Sequence, residues 1–246
     1  MRFVLREARR LVVGLLALAT MAAVTTVAGS VPAYALGSVA ITPPTDTVLY
    51  PDCYEYTYGY TISAPTADWD VDISITDPFG AQESSDFVYD AEPSTGTEVL
   101  SLCGDGIDRP GTYTISATMT WYDADFNKHI EPATSVQFTL AKPATRTTLR
   151  VSDPRPAYDQ KLRFKTKSTI QGRLGYSRLE YKKVRLEAYR RGAWRKIDTT
   201  TTDGDGIARF RYRWNTHRHR VKVRAVTLGT ATWTRSASPR ITIRVH

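Results

Sequence analysis

The chain has 246 residues, 41% apolar and 24% charged, with 33 Lys+Arg against 25 Asp+Glu. That length allows one or two domains, each large enough to bury its own core. The formal charge of +8 describes neither half. Residues 36–141 carry 2 basic and 17 acidic side chains, whereas residues 142–246 carry 27 basic and 7 acidic ones. A net charge near −15 followed by one near +20 points to two domains with different partners.

The N-terminus has the three parts of a secretory leader. Arg2, Arg6, Arg9 and Arg10 make a basic start, Leu11 to Ala28 is apolar with threonines, and Ala33-Tyr34-Ala35 is a small-x-small cleavage site. Residues 1–35 are therefore expected to be a helical signal peptide cut after Ala35. The rival is an uncleaved anchor, because the apolar run is nearly long enough to span a bilayer. The mature chain is expected to have no membrane span and to be secreted or held at the cell surface. The Arg9-Arg10 pair leaves general and twin-arginine export both open.

Cys53 and Cys103 are the only cysteines. In an exported chain two such residues form a disulfide. A two-cysteine metal site is the weaker alternative, because no histidine lies near either in sequence.

Through residues 36–141 apolar side chains recur with period two. Tyr54, Tyr56, Tyr58, Tyr60 and Ile62 share one face; Trp69, Val71, Ile73 and Ile75 a second; Tyr113, Ile115, Ala117, Met119 and Trp121 a third; Val136, Phe138 and Leu140 a fourth. Turn signals separate them at Ala64-Pro65-Thr66, Asp77-Pro78-Phe79-Gly80, Pro93-Ser94-Thr95-Gly96 and Arg109-Pro110-Gly111. Short strands at this spacing predict a β-sandwich. In immunoglobulin-type lettering, 53–63 is strand B, 69–77 C, 97–103 E, 111–122 F and 132–141 G. B and E are antiparallel neighbours there, so Cys53 at the start of B meets Cys103 at the end of E. Both lie on the parity opposite the core, which predicts a bridge within one sheet rather than a pin through the interior. The segment Asp108-Arg109-Pro110-Gly111-Thr112-Tyr113 resembles the D-x-P-G-x-Y lead-in to strand F of many Ig-like modules, which implies a structural corner role for Tyr113. Asp68, Asp70 and Asp72 could attract calcium, yet their spacing fits no loop pattern and a solvated surface explains them more simply.

Residues 142–145, Lys-Pro-Ala-Thr, form the expected linker, because Pro143 denies a regular continuation. Residues 146–246 alternate again. Leu162, Phe164, Thr166 and Ser168 oppose Lys161, Arg163, Lys165 and Lys167; Val184, Leu186 and Ala188 oppose Lys183, Arg185 and Glu187; Ala208, Phe210, Tyr212 and Trp214 oppose Arg209, Arg211 and Arg213; Val221, Val223 and Ala225 oppose Arg220, Lys222 and Arg224; Ile241, Ile243 and Val245 oppose Arg240, Thr242 and Arg244. The run Gly192-Ala193-Trp194-Arg195-Lys196-Ile197 with Thr202-Asp203-Gly204-Asp205-Gly206-Ile207-Ala208 resembles the G-x-W-x-x-(V/I)…T-D-x-x-G-x-(A/Y) core of bacterial Ig-like modules. Such modules occur in secreted and surface proteins, notably of actinobacteria, and are similar to prealbumin-like and fibronectin-like sandwiches. The resemblance implies a spacer or binding unit and transfers no catalytic residue. The expected fold is thus all-β: two tandem Ig-like sandwiches, 36–141 and 146–246, behind a signal peptide.

Asp203-Gly204-Asp205-Gly206 contains part of a calcium-loop pattern but lacks its further ligands, so a glycine turn is expected. His217 and His219 stand two apart among cations that oppose a metal. If 182–189, 219–226 and 239–245 are strands C, F and G, one sheet face combines Lys183, Arg185, Arg220, Lys222, Arg224, Arg240 and Arg244, with Tyr181 and Tyr189 available for stacking. Charges on such a grid lie within a Debye length of about 8 Å, so they repel one another and concentrate polyanions. These seven residues are the sequence's candidate ligand-binding set. The candidate partner is an anionic polymer or envelope component, with no specific nucleic acid implied; the alternatives are docking of the basic half on the acidic half, and an inert spacer. An enzyme would need His129, His217, His219 or His246, none of which sits in a catalytic motif. The expected protein is non-enzymatic, with no cofactor and no metal.

Overall fold

The computed structural model describes residues 36–214 and 220–246. The expected signal peptide, Asn215, His217 and His219 lie outside them. Every regular element described is a strand.

The acidic half contains β1 (Ser38–Thr42), β2 (Cys53–Ser63), β3 (Trp69–Thr76), β4 (Gln82–Tyr89), β5 (Thr95–Cys103), β6 (Gly111–Tyr122), β7 (Lys128–Ile130) and β8 (Thr134–Leu140). One sheet has the order β1-β2-β5; in the other, β4-β3-β6 continues into β7 and β8, which both pair with β6. The inward residues close a single core that includes Tyr56, Tyr58, Val71, Ile73, Ile75, Leu100, Tyr113, Ile115 and Leu140. Pro43 and Pro44 end β1, since neither can donate to a ladder. The chain then crosses to the opposite sheet, where Leu49 N–H donates to the Ala141 carbonyl at 3.0 Å and Ala141 N–H to the Thr47 carbonyl at 2.7 Å.

The basic half repeats the plan with β9 (Thr145–Val151), β10 (Lys161–Gly172), β11 (Gly175–Arg178), β12 (Lys183–Arg190), β13 (Ala193–Thr201), β14 (Ile207–Arg213), β15 (Arg220–Thr227), β16 (Ser236–Ala237) and β17 (Ile241–Arg244). Strand β10 pairs with β9 on one side and with β14 and β11 on the other. The facing sheet runs β13-β12-β15, with β16 and β17 both on β15. A second core includes Leu162, Phe164, Val184, Leu186, Phe210, Val223 and Ile243. Both halves are Ig-like sandwiches, A-B-E against C′-C-F-G, as their alternation predicts.

The disulfide is where the strand lettering puts it. Cys53 and Cys103 form it as directly opposed residues of β2 and β5. Tyr113 is fully buried and its hydroxyl donates to the Arg109 carbonyl at 2.9 Å, which is the corner expected of it. The Asp203–Gly206 segment is a turn. The Asp203 carboxylate accepts the N–H groups of Asp205 and Ile207, and Gly206 sits at φ 72° with room denied to a Cβ by the Ser168 carbonyl 2.6 Å away. Strands β1, β4, β7, β9, β11 and β16 are not among those read from the sequence; β4, Gln-Glu-Ser-Ser-Asp-Phe-Val-Tyr, buries only Val88 below a tenth.

Candidate functional site

The seven cations singled out from sequence do come to one sheet. Lys183 and Arg185 lie on β12, Arg220, Lys222 and Arg224 on β15, Arg244 on β17, and Arg240 immediately before it. Two of them are already engaged. Glu187, taken from the alternation as an exposed residue, is 3% exposed. Arg185 donates to one of its oxygens at 2.6 and 2.7 Å and Arg224 to the other at 2.8 Å. The Arg224 guanidinium also lies 4.1 Å from the Trp194 ring, and Tyr189 packs edge-on against that ring at 5.3 Å. The physical reason is cross-strand register: Glu187 is directly opposite Arg224, and burying a carboxylate requires paired, hydrogen-bonding cations. Tyr181 stands apart from this group, in the turn before β12 with φ 53°. Lys183, Arg220, Lys222, Arg240 and Arg244 have no ion-pair partner among the described residues.

The denser charge is on the opposite sheet. The outer faces of β9, β10 and β14 present Arg146 and Arg150; Lys161, Arg163, Lys165 and Lys167; and Arg209, Arg211 and Arg213, all exposed. Register stacks them against one another. Lys161 is opposite Arg213, Arg163 opposite Arg211, and Lys165 opposite Arg209 on one side and Arg150 on the other. Like charges directly opposed across a ladder destabilise it. Among the described residues, only Arg209 and Arg213 of this set have carboxylate partners, Asp203 at 2.6 Å and Asp159 at 3.2 Å. The Arg209 guanidinium holds the Asp203 carboxyl below the usual carboxylate range.

Three open depressions follow this face along β10. The largest, about 860 Å³, is lined by Arg150, Arg163, Lys165, Arg209 and Arg211 together with the edge strand β13. A second, about 280 Å³, includes Arg150, Lys165 and Lys167. The third, about 520 Å³, runs from Lys167 to Tyr176 and Arg178. Tyr176 is a stacking surface at that end, with the Arg146 guanidinium 3.7 Å from its ring. From Lys161 to Gln171 the track is on the order of 33 Å long at a strand rise of about 3.3 Å per residue. It is an open, elongated and strongly basic surface. The alternation along β10 and β14 signals Lys161, Arg163, Lys165, Lys167, Arg209, Arg211 and Arg213, but not Arg146 and Arg150 of β9 or Tyr176 and Arg178 of β11; nor does the sequence show that residues 146–150, 161–167 and 209–213 are neighbours.

Where the two halves meet, the β10–β11 turn places Arg173 4.8 Å from the Tyr54 ring. Tyr54 donates to Asp46 at 3.1 Å, and an open cavity of about 430 Å³ lies between Tyr50, Tyr54 and the turn. In the acidic half, Asp123 accepts from Asn127 and His129, which keeps its carboxyl well below the ordinary range; the His129 bond is the largest cause. Among the described residues no group of three or more His, Cys, Asp or Glu is placed to hold a metal ion, Asp68, Asp70 and Asp72 included. No helix among them is long and apolar enough to cross a membrane.

No family model matches the chain, and no curated protein matches it. Among solved structures it is similar to a tetra-tandem repeat in the extending region of a large adhesion protein, at 15% identity and TM-score 0.41, covering 85% of this chain and 50% of that one. It is also similar to the Yersinia pseudotuberculosis adhesin InvE, at 12% identity and TM-score 0.39 over 84% and 58% of the two chains. The D0-D1 domain of Intimin aligns at 17% identity and TM-score 0.29, over 85% of this chain and 99% of that one. The chain thus spans about half the length of the first.

Proposed function

We propose that the chain is an exported, non-enzymatic binding protein that holds anionic polymers of a cell envelope or matrix on the outer β9–β10–β14 face of its basic sandwich. The observation that carries this is the register of that sheet, which sets Lys161, Arg163 and Lys165 directly against Arg213, Arg211 and Arg209. A fold gains nothing from opposing like charges; a polyanion threaded between them turns the repulsion into attraction and releases its counterions. Lys183, Arg220, Lys222, Arg240 and Arg244 form a sparser second face on the opposite sheet.

The test is chromatography of residues 36–246, which contain both cores, on heparin and on immobilised inorganic polyphosphate. Retention is expected on both, with elution by salt. Replacing Arg163, Lys165 and Arg211 by glutamine should lower the eluting salt concentration more than replacing Lys183, Arg220 and Lys222. Each cation lost should reduce the log-affinity versus log-salt slope by about one. Unchanged elution of the first variant would overturn the proposal. Contact between the halves is the second reading, supported by Arg173 against Tyr54. In that case Arg173→Ala should alter the mutual orientation of the halves in solution scattering and leave heparin elution nearly untouched.

A further inference from the structure

The acidic sandwich has an unpartnered patch of its own. Phe87 and Tyr89 on β4 are 51% and 52% exposed, and their rings stack 6.1 Å apart. Directly opposite them on β3 stand Asp72 and Asp70. On the neighbouring edge Glu98 is crowded: burial first, then Asp86 and Glu92, push its carboxyl above the usual range. Like charges are thus pressed together on both sandwiches, with opposite sign.

These two surfaces cannot meet within one chain. Arg173 touches Tyr54 at the junction, so residue 172 marks the junction end of β10. Lys161 to Lys167 then lie roughly 17–36 Å up that strand at about 3.3 Å per residue. In the acidic half Leu140 leads into the linker opposite Gly111, and β6 sets Thr114 against Thr76, which faces Gln82. Phe87 and Tyr89 are five and seven residues beyond Gln82, roughly 17–23 Å further from the junction in the other direction. Residues 141–144 reach at most about 14 Å fully extended.

We propose that a second copy of this chain is the partner: the Asp70–Asp72–Phe87–Tyr89 patch of one molecule seats on the β9–β10–β14 cations of the next. Arginines meet both carboxylates and aromatic faces, the pairing suited to such a patch. Because each molecule offers two different surfaces, the contact is head-to-tail and does not close on itself. Polyanions and neighbouring molecules then compete for one groove.

Sedimentation velocity on residues 36–246 over a concentration series tests this, at about 50 mM and about 500 mM salt. Wild type should associate at low salt and disperse at high salt. Asp70→Lys/Asp72→Lys should weaken association at least tenfold while keeping heparin retention, and Phe87→Ser/Tyr89→Ser should act in the same direction. Lys165→Glu/Arg209→Glu should weaken both association and heparin retention. Mixing the two charge-reversed variants should restore a complex, since one keeps its groove and the other its patch. A wild type that stays monomeric at low salt, a patch variant that associates like wild type, or a mixture that forms nothing would each overturn the proposal. Retention on heparin in those cases would leave polyanion binding standing.

Discussion

The two sandwiches share a strand order and differ in almost everything laid upon it. The acidic one has a core built on tyrosines: Tyr56, Tyr58 and Tyr113 are fully buried, each with a hydrogen-bonded hydroxyl. Tyr58 donates to Asp86 at 2.6 Å. Its disulfide fastens β2 to β5. The basic one has no cysteine, and a seam of buried hydroxyls joins its sheets instead. Thr147 and Ser168 meet Thr227 at 2.6 and 2.7 Å, and Thr147 meets Ser236 at 2.6 Å. A shared topology therefore fixes neither the source of stability nor the sign of the surface. Alternation leaves every second position free, and each half has used that freedom differently.

The sharpest way to separate the halves is to cut the covalent tie. Cys53→Ser/Cys103→Ser removes a cross-link 50 residues apart in sequence. The acidic sandwich should lose about 2–4 kcal/mol while the basic one melts unchanged, as separate transitions in calorimetry would show. If both transitions moved together, the cores would not be independent.

Alkali should discriminate next. Burial is the chief reason the Tyr56 hydroxyl is pushed up to about 12, and burial likewise raises Tyr58 and Tyr113. A raised folded-state value means the contribution is intact below the ordinary tyrosine value near 10 and is lost as pH climbs through 10 toward 12 and beyond. The acidic sandwich should therefore unfold first between pH 10 and 12, its tyrosinate absorbance rising with loss of structure rather than ahead of it. A smooth titration with the core intact would break this account. The smallest expected effect has the opposite sign in the other half. Arg211→Gln relieves the Arg163–Arg211 opposition, so the basic sandwich should melt slightly higher, by about 1–3 °C, as heparin elution moves to lower salt. A drop in both would mean that Arg211 makes a stabilising contact instead.

The longer strands from β2 to β17 other than β4, with their buried faces, the disulfide partners and the Tyr113 corner, were legible in the amino-acid order, because period-two alternation and turn chemistry act over a few residues; β1, β7, β9, β11 and β16 were not. β4 was not, since an edge strand with one deeply buried residue leaves little alternation to find. Which cations share a groove was decided in three dimensions: β10 and β14 are brought side by side across 34 residues of intervening chain by the closing of a core, with β9 on the other edge of β10, and no local pattern records that. The same holds for Glu187, whose alternation places it in solvent. Only the pairing of β12 with β15 sets Arg224 across from it, and a carboxylate between two guanidiniums can leave water where a lone one cannot.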